Sequence, residues 1–222
     1  MRFHQFWLPL VLLWGLPWGT AFAQWHVSVE RRLAERTFPI RVSGLESHGP
    51  LGSGRSPAHC NRHDLLFGGP ELFGLNWAGP YPGLATNFDP ASLHRAESLR
   101  EFRYFLNPNM VFLLEIRYRD APAGYLPPDS PWWKRDADGN IEKGWEEGNY
   151  RLLDFGSPSF REQVVNQCAA AVNSGVVDGV MLDWWQDDDD RLALIAAIRK
   201  RIGNKALNLV NTNQRTAPRI TP

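Results

Sequence analysis

The sequence predicts an α/β protein of the (β/α)8 TIM-barrel type, truncated at its C-terminal end after about five strands. Three observations carry that expectation. Short, continuously apolar stretches alternate with amphipathic helical stretches, the pattern of a parallel sheet covered by helices. None of the strands is followed by a Gly-x-Gly-x-x-Gly or P-loop turn, the usual signal of a doubly wound nucleotide-binding sheet. Carboxylates and aromatic residues instead gather directly after several strands, where barrel enzymes keep their sites.

Taken in order, Val27–Leu33 reads as a short strand or helix, and Ser43–Pro57 as loop, rich in Gly, Ser and Pro. Leu65-Leu66-Phe67 and Leu72–Trp77 are strand candidates bounded by Gly and Pro. Asp89-Pro90 opens a helix as N-cap and first helical residue, with Leu93, Ala96, Leu99, Phe102 and Leu106 at inward spacing, and Asn107-Pro108-Asn109 closes it. Met110–Ile116 is a buried-strand run closing on Glu115. A long loop follows, from Arg117 to Asn149, and then a short strand, Tyr150–Phe155, reaching Asp154 near its end. Ser157-Pro158 starts a helix whose Phe160, Val164, Cys168 and Ala171 form one face, with Gly175 as its terminator. Val176–Leu182 is a strand ending on Asp183. Asp187–Asp190 leads into a helix with Leu194, Ile195, Ile198 and Ile202 inward, and Ala206–Val210 is the last strand. A barrel typically takes about 250 residues, so five strands in this chain imply a partial one.

The first residues set the compartment. Arg2, an apolar run from Trp7 to Trp18 and the triplet Ala21-Phe22-Ala23 form a signal-peptide pattern, with cleavage after Ala23. A spanning helix needs about 20 apolar residues, and this run is shorter and broken by Pro9, Gly15 and Pro17. The expected organisation is therefore a signal peptide over 1–23, an irregular lead-in over 24–62 and a partial barrel over 63–222. The mature protein would be exported, periplasmic or secreted, with no membrane segment after cleavage. Net charge is zero, from 24 basic and 24 acidic residues, and no Lys/Arg stripe offers a field for nucleic acid. Cys60 and Cys168 would be permitted to pair in an oxidising compartment, but their spacing does not show that they meet. No CxxC, HExxH or Cys/His cluster suggests a metal centre, and no cofactor motif is present.

The sharpest chemical feature is Asp178-Gly179-Val180-Met181-Leu182-Asp183-Trp184-Trp185, a buried strand that ends in a carboxylate and two large aromatics. Glycoside cleavage needs a carboxylate as nucleophile or base, an acid partner and a surface for the ring. Tryptophan supplies such a surface with its flat apolar face. Asp183 is the leading catalytic candidate, against an N-cap or surface role. Glu115 and Asp154 end the two preceding strand candidates and would join it at a barrel mouth. Arg117 lies two residues past Glu115 and either faces the same site or holds Glu115 in a buried ion pair. Trp132, Trp133 and Arg135 make the long loop a candidate cleft wall, against simple packing on the barrel rim. Asn211, after the last strand, offers hydroxyl-binding groups or is an ordinary polar turn. The spacing of Asp136, Asp138 and Glu142 is wrong for a calcium loop, and the Asp187–Asp190 run is explained by helix capping more simply than by a metal.

His63-Asp64-Leu65, Asn107-Pro108-Asn109, Glu115-Ile116-Arg117-Tyr118, Trp132–Asp136, Leu153-Asp154-Phe155 and Asp178–Trp185 resemble an uncharacterised bacterial family of glycosyl-hydrolase-like TIM-barrel proteins. The resemblance covers His63 to Pro218 and implies a barrel more strongly than it implies a reaction. Related barrel glycosidases carry one catalytic carboxylate at the end of the fourth strand, where Asp183 falls, and a second on a later strand. The expectation is a glycoside hydrolase acting on a polysaccharide or oligosaccharide. A non-catalytic carbohydrate-binding protein and a metal-dependent phosphoesterase are the alternatives.

Overall fold

The computed structural model describes residues 28–34, 42–44, 63–204, 206–213 and 217–220. The expected leader, His48, His59 and Cys60 lie outside them. In chain order the elements are α1 (Val29–Ala34), β1 (Val42–Gly44), β2 (Leu65–Gly68), α2 (Pro90–Leu106), β3 (Val111–Glu115), β4 (Asp120–Pro122), β5 (Tyr150–Leu152), α3 (Pro158–Asn173), β6 (Gly179–Leu182), α4 (Asp189–Ile202) and β7 (Leu207–Val210).

Five strands form one parallel sheet in the order β1-β2-β3-β6-β7. Spatial order follows chain order without reversal, so the sheet has no switch point of the kind that marks doubly wound folds. Helices α2, α3 and α4 bury the same face. Leu66, Phe112, Leu114, Val180 and Leu182 share one apolar cluster with Ala96 and Tyr104 of α2, Phe160, Val164 and Cys168 of α3, and Leu194 and Ile198 of α4. Residues of alternate parity, Val111, Leu113 and Met181 with Leu65, Phe67, Leu207 and Leu209, turn to the other face, where Val29 and Leu33 of α1 pack on them. The described strands do not close on themselves; β1 and β7 are the sheet's edges.

The helix signals act as the sequence implies. Asp89 caps α2 through Oδ2, 2.8 Å from the Ser92 amide, and Asp188 caps α4 through Oδ1, 2.9 Å from the Arg191 amide. Gly175 and Gly203 both take positive φ just past α3 and α4, a conformation that favours glycine. Val29–Ala34 resolves the first ambiguity as helix.

Other expectations change. Leu72–Trp77 is not a strand: Pro70 starts a 3-10 turn over Pro70–Phe73 that Gly74 ends at φ 76°, and Trp77 makes only an isolated bridge to Phe88. Tyr150–Phe155 is not a sheet strand either. Its β5 core pairs antiparallel with β4 in a separate two-stranded ribbon. The long loop is accordingly ordered, tied by bridges Trp133–Leu153, Arg135–Ile141 and Lys143–Arg151. The sheet also gains β1, a strand inside the segment read as an irregular lead-in.

Helix α2 is rotated from its apolar row. Ser92, Ala96, Arg100, Arg103 and Tyr104 are buried, whereas Phe102 and Phe105 are 53% and 73% exposed. The reason lies at the N-terminal end of the sheet. Asp178 accepts from Arg32 (2.6 Å), from Arg100 (2.8 Å) and, through Oδ2, from the Phe112 amide (2.9 Å), while the Tyr104 hydroxyl lies 3.2 Å from Oδ2. The Nη1 groups of Arg32 and Arg100 reach the carbonyls of Met110 and Val176, and Arg103 donates to the Leu72 carbonyl. A buried carboxylate with these partners outweighs the exposure of two phenylalanines.

Candidate functional site

Strand register decides which carboxylates can meet. Glu115 is paired with Met181 on the neighbouring strand. Paired residues in a parallel ladder point to the same side, and so do residues two apart along a strand. Val111, Leu113 and Glu115 therefore form one stripe, and Met181 continues to Asp183. On β7, where Met181 pairs with Leu209, the stripe Leu207-Leu209 continues to Asn211. All three stripes start in the apolar cluster under α1 and end in polar groups at the C-terminal edge of the sheet, on the face that α2, α3 and α4 leave uncovered. Glu115, Asp183 and Asn211 share one face for this reason.

Asp183 is held in place. Its Oδ1 accepts from Asn211 Nδ2 at 2.7 Å and from the Trp184 amide at 2.9 Å. Asn211 is itself set by Asn213, whose Oδ1 accepts from the same amide nitrogen at 3.1 Å. Asn211 thus orients Asp183, a role that the reading of it as a hydroxyl-binding or turn residue did not include. Trp184 has φ 54°, an uncommon conformation for a bulky side chain, and is 44% exposed. The Arg119 guanidinium lies 4.9 Å from its ring.

Glu115 lies deeper. Burial raises its pKa above the ordinary carboxylate range; the Arg117 guanidinium opposes the rise, and the charges of Asp183, Asp120 and Glu71 add to it. Arg117 Nη1 sits 2.8 Å from Glu115 Oε1, and its guanidinium is 5.1 Å from the Tyr150 ring centroid. The Arg117–Glu115 pair lines a cleft of about 450 Å³. Glu71, Asn76, Trp77 and Tyr150 face the same cleft, and its floor includes Tyr125 and Gln167, joined by a 3.0 Å hydrogen bond. Gly69 follows β2 in register with this position and lines the cleft beside Glu115.

Several sequence candidates sit elsewhere. Trp133 is 2% exposed with its indole nitrogen on the Pro127 carbonyl, and Trp185 is 1% exposed, so neither offers a ring face to a ligand. Trp132 packs on Phe160 and donates to Ser159 Oγ. Arg135 staples a turn through the carbonyls of Gly139 and Pro128. Asp154 ends the β4–β5 ribbon, and its carbonyl accepts from the Ser157 amide at the start of α3. None of Trp132, Trp133, Arg135 and Asp154 lines the cleft, and neither do Asp183, Trp184 and Asn211. The three-carboxylate mouth expected from sequence thus reduces to Glu115 and Asp183, because β5 is not a strand of the parallel sheet.

The acidic run is engaged by arginines: Asp188 by Arg191, Asp189 by Arg219 and Asp190 by Arg161. Among the described residues no group of three or more His, Cys, Asp or Glu could hold a metal ion, and no helix is long and apolar enough to cross a membrane. Cys168 is buried, and burial pushes its thiol pKa up.

The cleft residues Glu71, Asn76 and Trp77 were not foreseen. Their one available signal was position, just after Gly68-Gly69-Pro70 at the end of β2. Tyr118 stood in the Glu115–Tyr118 stretch without an assigned role, and Arg119 and Arg191 carried no signal beyond their charge.

No protein-family model matches the chain, and no curated protein matches it. Among solved structures it is similar to the maltogenic α-amylase AmyB of Thermotoga neapolitana (TM-score 0.44, 18% identity, 66% of this chain and 37% of that one). It is also similar to the α-galactosidase TtGalA of Thermus thermophilus in complex with p-nitrophenyl α-D-galactopyranoside (0.47, 17%, 79% and 38%). A debranching enzyme of Nostoc punctiforme soaked with acarbose matches likewise (0.47, 14%, 68% and 37%). The matched region spans little more than a third of the length of these chains.

Proposed function

We propose that the sheet is an arc of a (β/α)8 barrel whose mouth cleaves glycosidic bonds, with Asp183 as nucleophile or base and Glu115 as general acid. The observation that carries the reading is the shared face: two carboxylates from adjacent strands leave the same side of the sheet at its C-terminal edge, in unlike environments. Buried Glu115 holds its proton to higher pH than an ordinary carboxyl group, as a general acid must. Asp183 has one oxygen fixed by two donors, and among the described residues no donor reaches Oδ2, which is left for a substrate. Trp184 supplies an exposed ring beside the nucleophile, and the cleft between the exits of β2 and β3 has room for a sugar unit next to Glu115. The leader-like first residues support an exported compartment, periplasmic or secreted, for this activity.

Asp183→Asn tests this. Against a panel of aryl glycosides and oligosaccharides, turnover should fall by at least about 10³-fold while the Kd for the best oligosaccharide stays within about threefold. Undiminished turnover would remove Asp183 from the chemistry. Sugar binding without turnover in the unaltered chain would instead favour a carbohydrate-binding protein.

A further inference from the structure

The geometry points to Tyr118 as a positioning residue that fixes the turn carrying Asp183, with Arg191 as its anchor; the inference rests on the reading of Asp183 above. The peptide unit between Trp184 and Trp185 is held at both ends. The Trp184 carbonyl accepts from the Tyr118 hydroxyl at 3.2 Å, and the Trp185 amide donates to the Asn211 carbonyl at 2.8 Å. Fixing that unit fixes the ψ of Trp184, the residue held at φ 54°. On its other side the Trp184 amide donates to Asp183 Oδ1, so the residue is held from both of its peptide units.

Tyr118 itself is not free to choose another partner. Arg191 Nε donates to its hydroxyl at 3.0 Å, so the hydroxyl proton is left for the Trp184 carbonyl. Arg191 is locked in turn by Asp188, the N-cap of α4, and lies 4.6 Å from the centroid of the Phe155 ring. The Tyr118 ring is buried against Phe155 and Trp185, and burial raises the phenol to about 12, so the donor stays protonated. Tyr118 lies three residues after Glu115 and reaches the residue after Asp183. The clamp therefore adds a side-chain tie between the exits of β3 and β6, beyond the backbone bond from the Ile116 amide to the Met181 carbonyl, and bears on the spacing of the two carboxylates. In glycosidases that spacing decides the mechanism, at about 5–5.5 Å for retention and roughly 6.5–9.5 Å for inversion.

Tyr118→Phe deletes the hydroxyl and keeps the ring in its packing. Amide exchange of the Trp185 N–H should accelerate about tenfold, with the Phe112 and Val180 amides unchanged, and kcat should fall about 10- to 100-fold with KM within about twofold. Arg191→Met, read in parallel, should accelerate the same amide, and the double variant should be no worse than the poorer single one, because the two act in series. Unchanged exchange at Trp185 in a folded variant of either kind would overturn the clamp, whatever the activity. If Asp183→Asn leaves turnover intact, the catalytic reading fails instead, and the exchange data still judge the clamp.

Discussion

The two ends of the parallel sheet carry buried or half-buried charge in opposite ways. At the N-terminal end Asp178 is surrounded by donors: two guanidiniums, the Tyr104 hydroxyl and the Phe112 amide. At the C-terminal end Glu115 is buried with one guanidinium for a partner, and Asp183 leaves one oxygen without a donor among the described residues. The first arrangement locks a carboxyl group into the fold. The second leaves protonation and hydrogen-bonding capacity unspent, the condition for a group that is to act on something else. Where a charge is fully answered it is structural, and where it is partly answered it is available.

The largest expected effect follows from breaking the answered end. Asp178→Ala would leave Arg32 and Arg100 buried without their shared carboxylate, and should destabilise the chain by about 3–5 kcal/mol in urea unfolding. A loss under about 1 kcal/mol would mean that water reaches the two guanidiniums, and the contrast between the two ends would collapse.

A second contrast, as large at one residue and close to zero at the next, separates two neighbouring tryptophans. Trp185 fills the core, so Trp185→Ala should cost about 3–5 kcal/mol. Trp184 is half-exposed at positive φ, and Trp184→Gly relieves backbone strain of about 1–2 kcal/mol. Glycine's greater unfolded-state freedom and the lost contact with Arg119 offset that relief. The expected net change is within about 1 kcal/mol by the same unfolding measurement, with oligosaccharide affinity reduced. A cost above about 2 kcal/mol would show Trp184 to be a packing residue.

How much of this was legible in the sequence depends on whether a signal was local. β3 and β6 were readable because a strand buried on both faces is a continuous apolar run, and Glu115 and Asp183 are the carboxylates on which those runs close. The caps of α2 and α4 were readable from single residues. Pairing was not. Tyr150–Phe155 looks like any short strand, and its partner, β4, lies in a segment read as loop. The three-residue β1 was too short to register. Among the described strands of the parallel sheet, Asp183 follows the fourth, β6. The rotation of α2 was hidden because its inward Arg100 answers a carboxylate 78 residues away, information that no helical periodicity contains. The clamp around Trp184 was hidden for the same reason, as it joins residues from three separate elements.

The subtlest effect concerns Glu115 and appears as a slope. Below the ordinary Glu pKa the carboxyl is protonated in both the folded and unfolded chain, so Glu115→Gln, a near-isostere, should leave stability unchanged at about pH 4. Above that the unfolded chain loses the proton first, because the folded pKa is raised. The folded state then binds more protons than the unfolded one, and stability falls as pH rises through the interval between the two values. The glutamine variant has no such proton to lose, so its stability should draw ahead of the unaltered chain across that interval and then run parallel. Arg117 works against this by favouring the ionised form, but burial is the larger influence. Unfolding free energies of the two chains compared at successive pH values from 4 upward give the answer. A gap that opens in the opposite sense would mean that Arg117 dominates, and Glu115 would then belong with Asp178 among the locked carboxylates rather than with the acids free to give up a proton.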